Sequence, residues 1–525
     1  MSFSDLLHLP GSRASRDQAE DEAPPIPVRQ PSAPEATWRG YPRRGGGWAS
    51  LLPTVDEFFA TSSQVSGGYW PFGTGMALPV VGVPVGRLLS TGAGVCCDPI
   101  SWFREGIIEQ PSMFVMGLPA IGKSTFVRRL QWGLAALGVN CIIPGDLKPD
   151  YLDLTRLLNG QVIRLGSGIG SINPLDPGDV HFALQRLDGD RREDLLADYH
   201  DRRRAGIEVL LSVARSGRSE GRQAVSDVEA NVVATALNLL YDKTKDSPQP
   251  PLISDLITLI LEGPTPVRAA AVFDDPDNEE AYRSAVSDLV ASLHGLSNPI
   301  GKFGKLFCRQ TTERIDLSKS VDFDISALAH AGDDVVAAVL AVTWSGAFAA
   351  KNAADLLSEA GLQPARNHVI IMDELHRALR ASPLMVDRLD LVTRLNRQWG
   401  VGQIMITHTF ADLMCLDTEA QNQKARGFVE RSKIKVLGAL PSTEINRYLR
   451  GESGLPISQR EEDMLSDWAT PLGYEAQASF KGQGKFLIKT GGLPGLPIQL
   501  QMCDLERSGF NDTNLKWHAP MEARP

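Results

Sequence analysis

Nine consecutive residues carry the strongest chemical signal in the chain: Gly117, Leu118, Pro119, Ala120, Ile121, Gly122, Lys123, Ser124 and Thr125. They fit G-x-x-x-x-G-K-[ST] at every fixed position. In such a loop the backbone N–H groups and the positive end of the following helix surround a phosphate chain. Lys123 reaches the β- and γ-phosphates, and Ser124 gives its hydroxyl to Mg2+. Gly117 and Gly122 let the backbone approach with no Cβ in the way. The bland alternative is a chance loop, and both flanks argue against it. Ser112–Met116 (SMFVM) is a short apolar run, and Phe126, Leu130, Leu134 and Leu137 recur at helical spacing. Strand, loop, helix is therefore the expected order.

A second set of polar residues follows apolar runs further along. Asp373 and Glu374 follow the run Asn367–Met372. With a phosphate loop upstream, Asp373 is placed to hold the Mg2+ shell, and Glu374 to orient and deprotonate an attacking water. Taken alone, the pair would read as solvated acids after a core strand. His408 ends the run Gly402–Thr407. It can sense the γ-phosphate or hold the water, or it can be a satisfied core histidine. Asp146 and Lys148 lie at the C-terminal end of the strand Asn140–Pro144, the edge where ligands bind in open α/β sheets. Asp146 either bears on the nucleotide or steadies its own loop. His376 is expected on a helix surface. A ring-shaped ATPase also needs an arginine that enters the next subunit's site. Arg397 is the chosen residue, with Arg394, Arg431 and Arg447 as other candidates and a solvent salt bridge as the plain alternative for each.

Elements must position these residues, and the texture of the chain suggests which. Residues 1–50 are rich in Pro, Gly and charge and read as a disordered leader. Residues 51–111 suggest a small N-terminal β-rich element: an amphipathic helix over 51–64, then hairpin strands at Leu78–Val85 and Ala93–Cys97. Trp70, Phe72 and Trp102 are expected there as packing anchors. Strands alternating with helices over 112–180 and 302–510 argue for an α/β core with a mostly parallel sheet. Within it, Arg314–Leu317 and Val321–Ile325 read as strands, and Pro497–Met502 as an edge strand. Helices are expected over Tyr151–Leu158, Asp333–Asn352 and Leu384–Trp399. Residues 181–301 show helical periodicity throughout and read as an all-α insertion domain. Its Arg202-Arg203-Arg204 run is expected on a solvated helix face, with phosphate contact the lesser reading. Residues 511–525 form a tail with few cues.

Composition sets outer bounds. The chain has 525 residues, a formal net charge of -10 and a pI of about 5.5. A freely acting nucleic-acid binder is usually basic, so any DNA contact needs a local patch or an assembled pore. Six cysteines without C-x-x-C spacing fit a reducing cytoplasm and no zinc site. No uninterrupted apolar run is long enough for a bilayer, so membrane contact is expected only at the periphery.

Several segments, in order, resemble the HerA–FtsK superfamily of pumping ATPases. Within it they are similar to the conjugative-transfer ATPases of type IV secretion, the TraC / VirB-four family. Phe114–Thr125 (FVMGLPAIGKST) is the Walker A. Gly145–Tyr151 (GDLKPDY) resembles the family's G-D-x-K-x-E-Y, with Asp150 in the Glu place. Ser171–Leu175 (SINPL) matches its I-N-P turn. Ile370–Leu375 (IIMDEL) is the Walker B, and Ile406–Leu413 (ITHTFADL) resembles the sensor strand, with His408 where glutamine is expected. The family's large N-terminal docking domain is expected to be replaced here by a short region. The resemblance implies a RecA-like P-loop NTPase with an all-α insertion. It implies ATP and Mg2+ as cofactors, a hexameric ring, and partners in the conjugation or secretion machinery, with DNA a candidate substrate. The place implied is the cytoplasm, or the inner face of the cell membrane. Two rival readings stand beside it: an FtsK/HerA-type DNA translocase, and a nucleotide-binding scaffold that hydrolyses ATP poorly.

Overall fold

The computed structural model describes residues 41–42, 48–49, 80–216, 224–272, 275–381, 386, 389–390, 393, 400–414, 416, 418–471 and 481–509. The helix expected over 51–64, Trp70, Phe72, the tail 511–525 and most of both the leader and the helix Leu384–Trp399 lie outside these residues. The chain forms two compact units, Met1–Gly67 and Gly68–Pro525. In the first, β1 (Tyr41–Pro42) pairs antiparallel with β2 (Trp48–Ala49).

The second unit is built on one 11-stranded sheet. Its strands are β3 (Pro84–Leu88), β4 (Gly94–Cys96), β5 (Ser112–Met116), β6 (Asn140–Asp146), β7 (Gln161–Arg164), β8 (Val321–Asp324), β9 (His368–Met372), β10 (Val401–Thr407), β11 (Ile434–Leu437), β12 (Lys485–Thr490) and β13 (Leu496–Leu500). Their spatial order is β4-β3-β13-β12-β11-β5-β10-β9-β6-β8-β7. From β11 to β7 every pairing is parallel, and from β11 to β4 every pairing is antiparallel. Every residue of β5, β9, β10 and β11 is buried. Strands covered on both faces must be apolar throughout, which is why they read as continuous runs.

A hairpin forms before the core as β3–β4, its second strand where expected and its first shifted from Leu78–Val85 to Pro84–Leu88, and it is hydrogen-bonded into the large sheet through β13. Trp102 is buried beside it and donates from Nε1 to the Val81 carbonyl at 3.1 Å, as a packing anchor should. Pro497–Met502 was expected at an edge, yet β13 is interior. Ile498 pairs with Phe486 on one side and Leu88 on the other. No strand forms at Arg314–Leu317 either. Side chains take up its backbone there in place of a ladder. The Arg314 carbonyl accepts from Gln161 Nε2 at 2.7 Å, and the Leu317 carbonyl from His368 Nε2 at 3.0 Å.

Between β7 and β8 the elements among the described residues are helices: Asp179–Arg186, Gly189–Ala214, Asp227–Thr244, Ile253–Glu262, Thr265–Ala271 and Glu279–Ser297. They pack on the long helix Asp333–Glu359, chiefly through Gly189–Ala214. Helix Asp333–Glu359 has the length and mean hydropathy, 1.4, of a membrane span, and most of it is buried inside the protein. At the start of Asp227–Thr244 the Ser226 hydroxyl accepts from the Glu229 N–H while Glu229 reaches back to the Ser226 N–H. That same Glu229 receives both terminal nitrogens of Arg215, at 2.6 and 3.0 Å. The expectation of a solvated Arg202–Arg204 face fails at its centre. Arg202 pairs with Asp198 at 2.6 Å, but Arg203 is only 5% exposed, because helix periodicity turns it inward with Tyr199 and Ile207.

Candidate functional site

Parallel pairing brings the candidate residues to one edge. Met116 of β5 is opposite Thr407 of β10, and Met405 of β10 is opposite Met372 of β9. Gly117, His408 and Asp373 therefore leave their strands at the same C-terminal margin, with β10 between the other two strands. Strand order thus sets His408 between Lys123 and Glu374. β6 pairs beyond β9, which brings Asp146 to Tyr151 to the same margin.

The glycine loop is shaped as a cradle. Gly122 is left-handed at φ 99° and opens the helix Lys123–Ala136 with no side-chain cap, so the first N–H groups of that helix are open to an anion. A Cβ at Gly117 would collide with Ile121 Cδ1 and press on the Gly438 backbone. Lys123 is 7% exposed and donates from Nζ to the carbonyls of Gly117 at 2.7 Å and Leu118 at 3.0 Å. It also donates to His408 Nδ1 at 2.9 Å. Burial pulls the ammonium down to about 8, against the pull of Asp373 and Glu374.

Since Nδ1 of His408 accepts from Lys123, the ring proton sits on Nε2. Nε2 faces Glu374 Oε1 at 3.3 Å, and Lys148 donates to the same oxygen. Burial alone would raise the Glu374 carboxyl, but these two donors outweigh it and hold the group well below the usual carboxylate range. Glu374 has φ 49°, a left-handed conformation that is uncommon outside glycine and clusters at functional positions. His376 was expected on a helix surface. It is half-buried instead, with Nδ1 3.5 Å from Glu374 Oε2.

Asp373 is oriented by two donors, the Tyr151 hydroxyl to Oδ2 at 2.9 Å and the Glu374 N–H to Oδ1 at 2.8 Å. Burial and the neighbouring Glu374 charge lift its carboxyl to about 6, so it is ionised at neutral pH. Asp146 ties its own loop: its oxygens accept from the N–H groups of Asp150 at 3.0 Å and Tyr151 at 2.8 Å. Burial lifts it to about 7 despite those bonds.

The fit to a metal and a triphosphate is sound. Asp373 keeps free lone pairs on an oriented carboxylate, and Ser124 lies in the first turn of the uncapped helix beside the cradle. Sequence reasoning missed Tyr151 as the residue that positions Asp373, and Lys148 as the partner of Glu374. Both sit inside the G-D-L-K-P-D-Y stretch, which was the only available signal. Arg394 and Arg397 lie outside the described residues. Arg431 is engaged within its own chain, donating to Asp390 at 2.6 Å and Thr393 at 2.9 Å.

No protein-family model matches this sequence, and no curated protein matches it in sequence. Solved structures do match. VirB4 of Thermoanaerobacter pseudethanolicus is 18% identical over 82% of this chain and 100% of that chain, with a TM-score of 0.58. The bacterial conjugative coupling protein TrwB, in a trigonal form with sulphate, is 12% identical over 75% of this chain and 86% of that chain, with a TM-score of 0.47. TrwB in complex with ADP and Mg2+ is 13% identical over 75% and 85%, with a TM-score of 0.42. The chain thus has the fold of VirB4, a RecA-like P-loop NTPase core built on a mostly parallel sheet.

Proposed function

We propose that this chain is a Mg2+-dependent ATPase that powers conjugative DNA transfer or type IV secretion, working in the cytoplasm as a hexameric ring against the secretion machinery. The observation that carries the reading is the hydrogen-bonded line from Lys123 through His408 to Glu374, with Asp373 oriented beside it. A phosphate-binding lysine and a water-activating carboxylate are thereby joined through one residue. Gly117 to Thr125 would hold the triphosphate, and Ser124 and Asp373 the metal. Bound there, Mg2+ would supply charge neutralisation for the triphosphate.

Lys123 would leave the Gly117 and Leu118 carbonyls for the phosphates. That exchange frees His408 Nδ1, and the His408 ring can then report phosphate occupancy to Glu374. Glu374 accepts the proton of the attacking water once a donor on its carboxylate lets go. The helical segment 181–301, proposed as a domain apart from the core at 112–180 and 302–510, would move against it as the site opens and closes. Arg397 is the proposed arginine for a neighbouring subunit's site.

One observation favours a second reading. Glu374 is already held by Lys148 and His408, as it would be in a scaffold that binds nucleotide and turns it over poorly. One pair of measurements decides between them. Glu374→Gln should keep nucleotide binding and lose at least about 100-fold in ATP turnover. If wild type hydrolyses nothing, or Glu374→Gln hydrolyses as well as wild type, the ATPase reading fails. Turnover stimulated by added DNA would mark a DNA translocase.

A further inference from the structure

Arg203 stands in the helical segment between β7 and β8, away from the phosphate cradle; β7 is five strand spacings from β5, about 24 Å. Its Nε and both terminal nitrogens are buried and have no hydrogen-bond partner among the described residues. The guanidinium lies over the Tyr199 ring, 5.0 Å from its centroid. Tyr199 gives no negative charge in return. Burial pushes its phenol up to about 12, so it is neutral. Asp176, an acid in the wall both cavities share, accepts from the Gly178 N–H of its own loop at 2.9 Å.

Arg203 lines two adjoining cavities of about 240 and about 110 Å3, its nitrogens buried behind their wall. They share a wall of Asp176, Pro177, Gly178, Tyr199, Arg203 and Arg314. Arg314 is exposed at the mouth, over the Phe182 ring at 5.0 Å. The smaller cavity is lined mainly by apolar side chains, Ile163, Ile172, Leu210 and Val342 among them, and its wall also carries Asp179 and Glu313. A buried cation with no partner is costly, and a cavity lined by apolar side chains gives water few partners. Arg215, buried near the end of the same helix, has a bidentate carboxylate; Arg203 stands in the wall of a space of ligand size.

We propose that this cavity is a binding site for a small oxyanion, a phosphate or a carboxylate, held by the Arg203 guanidinium and admitted past Arg314. Guanidinium pairs with either group through two parallel N–H bonds. The two sources differ in what they ask of the apolar wall. Free phosphate leaves it bare, whereas a short-chain carboxylate lays its chain along Ile163 and Leu210.

The test is thermal unfolding of the full-length protein at constant ionic strength and neutral pH, with inorganic phosphate or sodium hexanoate. Either probe should raise the Tm of wild type by about 2 °C or more at saturation. The rise should survive Lys123→Ala, which disables the cradle, and vanish in Arg203→Met. A larger rise with hexanoate assigns the carboxylate source; phosphate alone assigns the phosphate. Without any probe, Arg203→Met should melt no lower than wild type, because it removes an uncompensated charge. Arg203→Gln serves where the methionine variant does not fold. The proposal is overturned if neither probe moves the Tm, or if the rise is lost in Lys123→Ala and kept in Arg203→Met. The ATPase reading is untouched by either result, since it turns on Glu374.

Discussion

Lys123 and Arg203 are both buried cations, and burial presses on the charge of both. Their surroundings differ. Lys123 has two carbonyls, an imidazole and two nearby carboxylates, so the phosphate loop satisfies its own lysine while nothing is bound. Arg203 has an aromatic face and a void. The contrast separates a site closed on itself, which must exchange partners to bind, from a site held open, which only gains them. Arg215 shows that the fold can satisfy a buried arginine, since Glu229, Ser292 and the Ala224 carbonyl all receive it.

The largest effect expected on this comparison is at Arg215. Arg215→Leu leaves Glu229 buried and unpaired and should cost about 3–5 kcal/mol in chemical denaturation, whereas Arg203→Met should cost nothing. Equal losses at the two sites would break the contrast. Next comes the pH dependence of binding. Free Lys123 titrates near 8, and a phosphate-bound lysine must be charged, so binding takes up a proton above that pH. Affinity for a non-hydrolysable ATP analogue should fall about tenfold per pH unit above 8. The stability linkage has the opposite sign. The folded pKa lies below the unfolded value, so this group's penalty shrinks as pH rises from 8 toward about 10.4. A flat binding profile in calorimetry would show that Lys123 does not meet the phosphates. The smallest effect is at Lys148, whose side chain is 56% exposed. Lys148→Ala should change turnover at neutral pH by less than about fivefold and move the acid limb of the pH–rate profile upward, because Glu374 loses a donor. A loss as deep as that of Glu374→Gln would make Lys148 part of the catalysis rather than a restraint on the acid.

Much of the cradle was legible in the sequence because its chemistry is local. Gly117 to Thr125 are contiguous, and an apolar run before Asp373 suffices to place an acid at a strand end. What the sequence did not show is the order of the strands. That β10 lies between β5 and β9 is a long-range fact, and it alone sets His408 between Lys123 and Glu374. Tyr151 and Lys148 were hidden for the same reason, since their partners lie on another strand's end. At Arg203 the composition misled: three arginines in a row look solvated, and only the helix face decides which one turns inward. Arg314–Leu317 misled differently: its polarity alternates as a strand's does, but its carbonyls at Arg314 and Leu317 are taken by side chains and no ladder forms.

The antiparallel margin has a bearing on how the protein is made. β3, already paired with β4 on one side, finds its second partner only in β13, about 400 residues later in the chain. During synthesis, Pro84–Leu88 emerges long before Leu496–Leu500 exists, so this border waits for almost the whole polypeptide. Closure there joins residues far apart in sequence, the slow kind of contact in folding. A nascent chain stalled before β13 would carry the β3–β4 hairpin with the outer edge of β3 open beside a finished phosphate loop, exposed to the edge-to-edge association that such edges invite.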